Sequence, residues 1–249
     1  VNITIVIPTY NEAENIPKLF AALFDLPLPE LSLLIVDDNS PDGTGRLAES
    51  LAPRYGGRVN VLHRAGKMGL GTAYIEGFRY ALEHGAQAVG QMDADFSHPV
   101  AKIPELVCAI GEADIAIGSR YVAGGSLDER WPLWRKGLSA WGNFYARTLL
   151  GLPLRDVTGG FRLWRRETLL NMPLERVRSN GYVFQVEIAY IAHRLGFKHK
   201  EVPIYFADRR WGKSKMNFRI QLEAALRVWR LPWAYRDLSV ETRSAATHL

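Results

Sequence analysis

The chain has 249 residues, 47% of them hydrophobic and 23% charged, and carries a net charge of +5. That composition excludes a disordered or fibrous protein, and the length allows one large α/β domain or two small ones with a substantial core. A single cysteine, Cys108, excludes an internal disulfide and points to a reducing compartment, and no run of 18 apolar residues is present to span a bilayer. The basic excess suits anionic partners, phosphates, nucleic acid and acidic lipid headgroups alike.

The chain opens on a strand-like run with no signal-peptide pattern ahead of it. From there, short β-branched runs alternate with helical patterns. Strands are expected at Ile3 to Ile7, Leu31 to Val36, Val59 to His63, Ala86 to Met92 and Asp114 to Ile117. Helices are expected at Glu14 to Phe24, Thr44 to Leu51, Gly71 to His84 and Val100 to Ile110. This alternation implies βαβ units and a mainly parallel sheet covered on both faces. Cys108 falls in an apolar helical pattern and reads as a small buried hydrophobe.

In such sheets the carboxyl ends of the strands hold the ligand. Four polar clusters fall there: Pro8-Thr9-Tyr10-Asn11-Glu12, Asp37 to Thr44, Asp93-Ala94-Asp95, and Gly118-Ser119-Arg120-Tyr121. The acidic pair after the apolar run ending at Met92 suits a divalent cation carrying a diphosphate. Asp37 to Thr44 has turn and helix-cap residues, yet one acid would suffice for the turn. Asp38 is therefore expected to hydrogen bond a base or ribose, and Asp37 to share that role or orient the loop. The glycines of Gly66 to Gly71 fit neither a dinucleotide fingerprint nor a P-loop, and Lys67 is a candidate for facing a phosphate.

These clusters, with Ala73-Tyr74-Ile75-Glu76-Gly77-Phe78, Thr158-Gly159-Gly160-Phe161-Arg162, Gly181-Tyr182-x-Phe184-Gln185-x-Glu187 and Arg209-x-x-Gly212-x-Ser214-Lys215, carry a family resemblance. From Ile3 to about Lys215 the chain resembles family 2 glycosyltransferases of the GT-A fold, and among them the polyprenol-phosphate (dolichol-phosphate) mannose synthases. The resemblance implies a GT-A, Rossmann-like α/β domain over residues 1–238. It implies inverting transfer of mannose from GDP-mannose to a polyprenyl or dolichyl monophosphate. Residue by residue, it puts Pro8, Tyr10, Glu12, Val36 and Asp38 around the donor nucleoside, and Asp93, Ala94 and Asp95 on the diphosphate and a Mg²⁺ or Mn²⁺ held by the two acids. Arg120 would face the reacting phosphates, and Arg209 and Lys215 would lie over the donor. Some relatives carry a Gln two positions past the second acid, where this chain has Ser97.

The chemistry suits these residue types. Mg²⁺ takes one or two carboxylates plus substrate phosphates, and arginine forks suit phosphate. A phosphate-monoester acceptor has a second pKa of about 6 and is largely dianionic at neutral pH, so no protein general base is expected. Arg120, Arg135 and Ser139 are the acceptor-phosphate candidates, the last two sharing a face if Trp131 to Leu150 is helical. Gln185 and Glu187 lie on an expected helix, where they either orient acceptor-side phosphates or satisfy buried partners. His98 is expected beside the acidic pair in a supporting role, and the other histidines lack metal-ligand spacing.

Five of the seven tryptophans fall in two segments: Trp131, Trp134 and Trp141, then Trp229 and Trp233. Phe218, Leu222, Ala225, Leu226 and Trp229 keep near-helical spacing between Arg219, Arg227 and Arg230, the pattern of an amphipathic helix at a membrane interface. The alternative is a helix packed on the sheet with solvated arginines. A peripheral position on the cytoplasmic face of a membrane is the expected location, with room for a membrane-anchoring partner. No nucleic-acid module is present. Ser239 to Leu249 reads as a disordered tail. Two other functions stay open: transfer from a UDP-sugar, and a noncatalytic nucleotide-binding subunit of a membrane complex.

Overall fold

The computed structural model describes residues 1–208 and 218–246, the side chains of 218–223 and 244–246 excepted. Its first half follows the βα alternation: β1 (Ile3–Thr9), α1 (Ile16–Phe24), β2 (Leu31–Asp37), α2 (Thr44–Leu51), β3 (Val59–His63), α3 (Leu70–Glu83), β4 (Ala88–Gln91), α4 (Ile103–Ala109) and β5 (Ile115–Ser119). After it come β6 (Ser126–Leu127), α5 (Leu133–Leu149), β7 (Arg162–Arg165), α6 (Arg166–Leu170), α7 (Gly181–Arg194), β8 (His199–Pro203), β9 (Tyr205–Phe206), α8 (Phe218–Ala234) and α9 (Val240–Ala246).

Among the described residues the main sheet has seven strands in the order β3-β2-β1-β4-β7-β5-β8. Its pairings are parallel except for β7, which runs antiparallel to both β4 and β5. The mainly parallel GT-A-like sheet is therefore as expected, but the antiparallel strand in its middle is not. β6 and β9 form a separate two-stranded pair.

The strands are apolar on both sides because both sides are covered. Along β2, Leu34 and Val36 join Val6 and the buried faces of α3 and α7, while Leu33 and Ile35 join Ile5, Ile7, α1 and α4 on the other side. α1 keeps Ile16, Leu19, Phe20 and Leu23 inside, a helical stripe with Pro17 in its first turn, where a missing N–H costs nothing.

Two expectations fail here. Cys108 is exposed, because α4 turns Ile103, Leu106 and Ala109 inward and leaves Cys108 on its outer side. The expected tail is helical over 240–246, with 247–249 outside the described residues. Ser239 and Thr242 cap each other reciprocally, Thr242 N–H to Ser239 Oγ at 3.3 Å and Ser239 N–H to Thr242 Oγ1 at 2.9 Å. The Arg243 guanidinium then lies 4.7 Å above the Phe197 ring.

α3 lies so close to the sheet that a Cβ on Gly77 would come within 2.3 Å of Val6 Cγ1 and 3.2 Å of Val36 Cγ2. Gly77→Ala is expected to destabilise the protein by about 1–3 kcal/mol through overpacking. Urea denaturation checks it, and a neutral or stabilising result would show that α3 can shift.

Candidate active site

The loops leaving β1 and β2 are stitched together by short polar side chains. Asp37 takes Thr9 Oγ1 and Ser40 Oγ on one oxygen, at 2.9 and 2.6 Å, and the Ser40 N–H on the other, at 3.0 Å. Asp42 accepts from Thr44 and from the Ala13 N–H, and Thr44 Oγ1 accepts the Glu12 N–H at 2.9 Å. Asp37 thus orients the loop, the second of its two expected roles.

Asp38 is held by Arg64, a residue that sequence reasoning missed. Arg64 Nη1 donates to Asp38 Oδ1 at 2.5 Å and Nη2 to Thr72 Oγ1 at 2.6 Å. Its Nε lies 3.1 Å from Glu76 Oε2, off the hydrogen-bonding direction. Burial raises the Asp38 carboxyl, with Arg64 and Lys67 pulling it down and Asp37 pushing it up. The one signal for Arg64 was its place directly after β3, on the carboxyl edge.

Tyr10 is exposed, and Lys67 Nζ sits 4.3 Å over its ring, so Lys67 faces this side of the site. Glu12 accepts from Asn15 Nδ2 at 2.7 Å, and Pro8 is half-buried at the end of β1. The Val36 side chain is fully buried in the core, so only its backbone could meet a ligand. The same holds for Ala94, 3% exposed and packed in the opposite cluster.

The acidic pair follows β4. Asp95 Oδ1 takes the Ser97 N–H at 3.0 Å and Ser97 Oγ at 2.6 Å, so Ser97 orients Asp95. Tyr74 Oη donates to Asp93 Oδ1 at 3.3 Å, and the Tyr74 hydroxyl is pushed well up by burial and by Asp93. Phe96, next to Asp95, has φ 61°, a left-handed conformation that costs an aromatic residue roughly 1–3 kcal/mol. Asn11 and Asn39 share that region, at φ 61° and 55°. All three lie in loops leaving the carboxyl ends of β1, β2 and β4, where strained backbone marks functional sites.

His98 links this pair to the rest of the site. Its Nδ1 accepts the Asp93 N–H at 3.0 Å, which leaves any proton of the neutral ring on Nε2. The ring stacks on Phe161 at 5.1 Å and meets Phe206 edge-on at 5.6 Å. Burial lowers its pKa against the opposing pull of Asp93 and Asp95, which keeps it the neutral acceptor this hydrogen bond requires. The expected supporting role is the one its geometry provides.

Beyond Phe206 lies Arg120, its guanidinium 5.2 Å over that ring. Arg120 is not free but paired. Asp156 grips it through Nε and Nη2, both at 2.7 Å, and Thr158 Oγ1 takes a further Nη2 bond at 2.7 Å. Asp156, adjoining the glycine-rich turn 158–160, is the second residue missed. Burial alone would raise its carboxyl, but Arg120 outweighs burial and holds it below the ordinary range.

Arg120, Arg135 and Ser139 line one cavity of about 180 Å³. Its other walls are largely apolar, from α5, α7 and α8. Arg135 pairs with Asp208 at 3.2 Å and stacks 3.6 Å over Trp131, while Ser139 Oγ shares a 2.8 Å hydrogen bond with Tyr121 Oη. The three acceptor candidates are thus brought together. Arg209 and Lys215 lie outside the described residues.

The carboxyl edge of this mainly parallel sheet thus gathers an acidic pair, the Arg64-held Asp38 and an arginine-lined cavity, the place where α/β folds of this kind hold a ligand. Residues 4–171 match the glycosyl transferase family 2 model, and the chain belongs to that family. It is 46% identical over 231 residues to the undecaprenyl-phosphate mannosyltransferase of Micrococcus luteus, covering 93% of this chain and 94% of that one. It is 44% identical to the polyprenol monophosphomannose synthase of Mycolicibacterium smegmatis, covering 90% and 84%. Among solved structures, glucosyl-3-phosphoglycerate synthase of Mycobacterium tuberculosis, with Mn²⁺ and UDP, matches with TM-score 0.63 at 17% identity, over 92% of this chain and 78% of that one. A Pyrobaculum calidifontis mannosyltransferase holding GDP-Man and Mn²⁺ matches with TM-score 0.56 at 18% identity, over 98% and 73%. These two share the fold.

Asp156→Asn is expected to destabilise the protein by about 3–5 kcal/mol at neutral pH, because it leaves Arg120 buried without its counter-charge. The depressed carboxyl also fixes a sign: its stabilisation is present above the unfolded carboxylate pKa and is lost as pH falls through the lower folded value. Urea midpoints of wild type and variant measured from neutral to acid pH check this, and the two should converge at the acid end.

Proposed function

We propose that this chain transfers a mannosyl group from GDP-mannose to a polyprenyl or dolichyl monophosphate at a membrane surface. The carrying observation is the junction at His98: one side of its ring holds the loop bearing Asp93 and Asp95, and the other packs on Phe206 beneath Arg120. A donor diphosphate at the acidic pair and an acceptor phosphate at the basic end of the cavity then meet across one buried imidazole. The activities of the M. luteus and M. smegmatis relatives support the acceptor and sugar, and the GDP-Man and Mn²⁺ of the P. calidifontis enzyme support the donor and a divalent metal.

In this reading Pro8, Tyr10, Glu12 and Asp38 receive the nucleoside, with Val36 contributing backbone, and Arg209 and Lys215 serve the donor phosphates. The acidic pair fits a hard divalent cation. Asp93 and Asp95 offer only oxygen, and among the described residues no group of three His, Cys, Asp or Glu is placed to hold a metal. Diphosphate and water oxygens would complete the shell, as Mg²⁺ or Mn²⁺ accepts. When bound, such an ion supplies Lewis-acid stabilisation of the departing diphosphate.

An acceptor phosphate oxygen attacks the anomeric carbon as the bond to the diphosphate oxygen breaks; the electron pair leaves with GDP, and the configuration inverts. Because that oxygen is already anionic, the protein positions groups and moves no proton. Arg120 and Arg135 donate N–H groups to the acceptor phosphate and Ser139 its hydroxyl, while Asp156 fixes where Arg120 points.

The apolar walls suit a prenyl chain, and the helices forming them carry exposed aromatic stripes. On α5 these are Leu133, Trp134, Trp141 and Phe144; on α8 they are Leu226, Trp229 and Trp233, flanked by exposed Arg227 and Arg230. Trp141, 57% exposed, also lines the cavity, so the stripe runs into the cavity wall. The sequence pattern placed Ala225 on the interfacial face of α8, but it lines the cavity together with Val228, while Leu231 faces the core. Among the described residues no helix is long and apolar enough to cross a membrane. The aromatic and arginine stripe is the composition of a helix lying in a bilayer interface.

Purified protein with Mg²⁺, labelled GDP-mannose and a polyprenyl phosphate in detergent should give a labelled glycolipid. Asp95→Ala should lose on the order of a hundredfold or more in kcat, the loss usual for one electrostatic stabiliser. No metal-dependent product, or equal turnover of UDP-glucose, would overturn the assignment. Separately, Trp229→Ala with Trp233→Ala should abolish sedimentation with anionic liposomes and spare turnover in detergent, since both rings lie outside the core; unchanged sedimentation would remove α8 from the membrane contact.

A further inference from the structure

α8 is a wall of the cavity, contributing Ala225 and Val228 opposite Val183 and Val186 of α7. Its far end is fastened by a buried bond that the reaction described above does not use. Tyr235, 2% exposed, donates from Oη to Glu187 Oε1 at 2.7 Å. Glu187, 3% exposed on α7, accepts the Ser179 N–H at 2.8 Å through its other oxygen and lies 3.4 Å from the Arg178 N–H. One carboxylate therefore ties together the second turn of α7, the segment leading into α7 and the end of α8.

The bond sits just past an interruption in α8. Pro232 lies inside the helix and has no N–H to give to the Val228 carbonyl one turn earlier, at the point where α8 lines the cavity. A helix weakened there depends on contacts at both ends to hold its angle. Tyr145 Oη of α5, donating to the Ala225 carbonyl at 3.1 Å, is one such contact; at the far end Tyr235 is the buried one, beside Arg176 Nη2 donating to the Ala234 carbonyl at 2.8 Å.

Resting on the acceptor assignment above, we propose that Tyr235 and Glu187 are a positioning pair for the lipid acceptor: their buried hydrogen bond sets α8 against α7 and so fixes the width of the cavity that takes the prenyl phosphate. Neither residue touches a substrate. The nucleotide side, on the β1, β2 and β4 loops, is served by other contacts and does not depend on this bond.

The test is Tyr235→Phe, which keeps the ring and removes one donor. The expected result is a roughly three- to tenfold rise in KM for polyprenyl phosphate, the factor one typical net hydrogen bond is worth. KM for GDP-mannose and kcat at saturating acceptor should stay within about twofold. Quenching of intrinsic tryptophan fluorescence by farnesyl phosphate gives an acceptor Kd without turnover and should weaken in parallel. Glu187→Gln, which keeps one acceptor oxygen, should shift the same constants in the same direction by less. Asp237→Ala cuts only the exposed bidentate tie from Arg176 just past α8, leaves the Arg176 bond to the Ala234 carbonyl in place, and should leave the acceptor constants unchanged. Equal rises in both KM values, an unchanged acceptor KM, or an Asp237→Ala effect as large as that of Tyr235→Phe would overturn the pair. If Tyr235→Phe does not fold, the Glu187→Gln constants decide alone. A wild-type protein that neither transfers mannose nor binds farnesyl phosphate would sink the acceptor assignment itself and the pair with it.

Discussion

Charge buried at the carboxyl edge of the sheet is the constraint around which this molecule is arranged. Asp37, Asp38, Asp95, Arg120, Asp156, Arg162 and Glu187 are each at most 8% exposed, and an ionised group out of water costs several kcal/mol unless it is paired and fully hydrogen bonded. Each is satisfied in its own way. Asp37 is saturated by loop hydroxyls and amides, Arg120 and Asp156 answer each other, and Arg162 gives its N–H groups to the carbonyls of Val157, Gly159 and Gln185. Burial still lowers Arg162 to about 10, yet at neutral pH it keeps its charge.

The same arrangement divides labour between rigid and reactive groups. Asp156, Arg162, Arg64 and His98 sit behind the side chains proposed to meet substrate, and their geometry is fixed by short bonds to backbone and carboxylates. His98 is useful because it stays neutral: as an imidazolium it would lose its acceptor nitrogen and release the Asp93 amide. The left-handed Phe96 is held between Asp95, bonded to Ser97, and the Asp93 amide on His98, so the strain at the acidic pair is overdetermined by its neighbours.

Much of this was legible in the sequence, for identifiable reasons. The strands through β5 were readable because two-sided burial gives continuous apolar runs, and the ligand edge followed from where those runs stop. α5 was anticipated only as a condition, a helix over Trp131 to Leu150 that would put Arg135 and Ser139 on one face. β7 was not, because Arg162-Leu163-Trp164-Arg165 is four residues bracketed by arginines, and a sequence gives no sign that Arg162 will be buried among carbonyls. Arg64 and Asp156 escaped because a charged residue announces itself as a partner only once the chain brings its opposite near. Cys108 misled because an apolar heptapeptide does not say which side of a short helix faces the sheet. α9 was lost because its reciprocal Ser239 and Thr242 cap is a local signal in an otherwise unpatterned segment.

The position of β7 also bears on how the chain acquires its fold. β4 and β5 are successive in sequence, yet they are joined only through a strand made some forty residues after β5 ends. Until Arg162 to Arg165 has left the ribosome, β4 keeps the margin away from β1 unpaired, the sort of edge that recruits strands from other molecules. Closure of the sheet is a nonlocal event, and nonlocal pairing is slow. The nascent amino-terminal half is thus the form of this protein most exposed to aggregation, and the one a chaperone would be expected to shield.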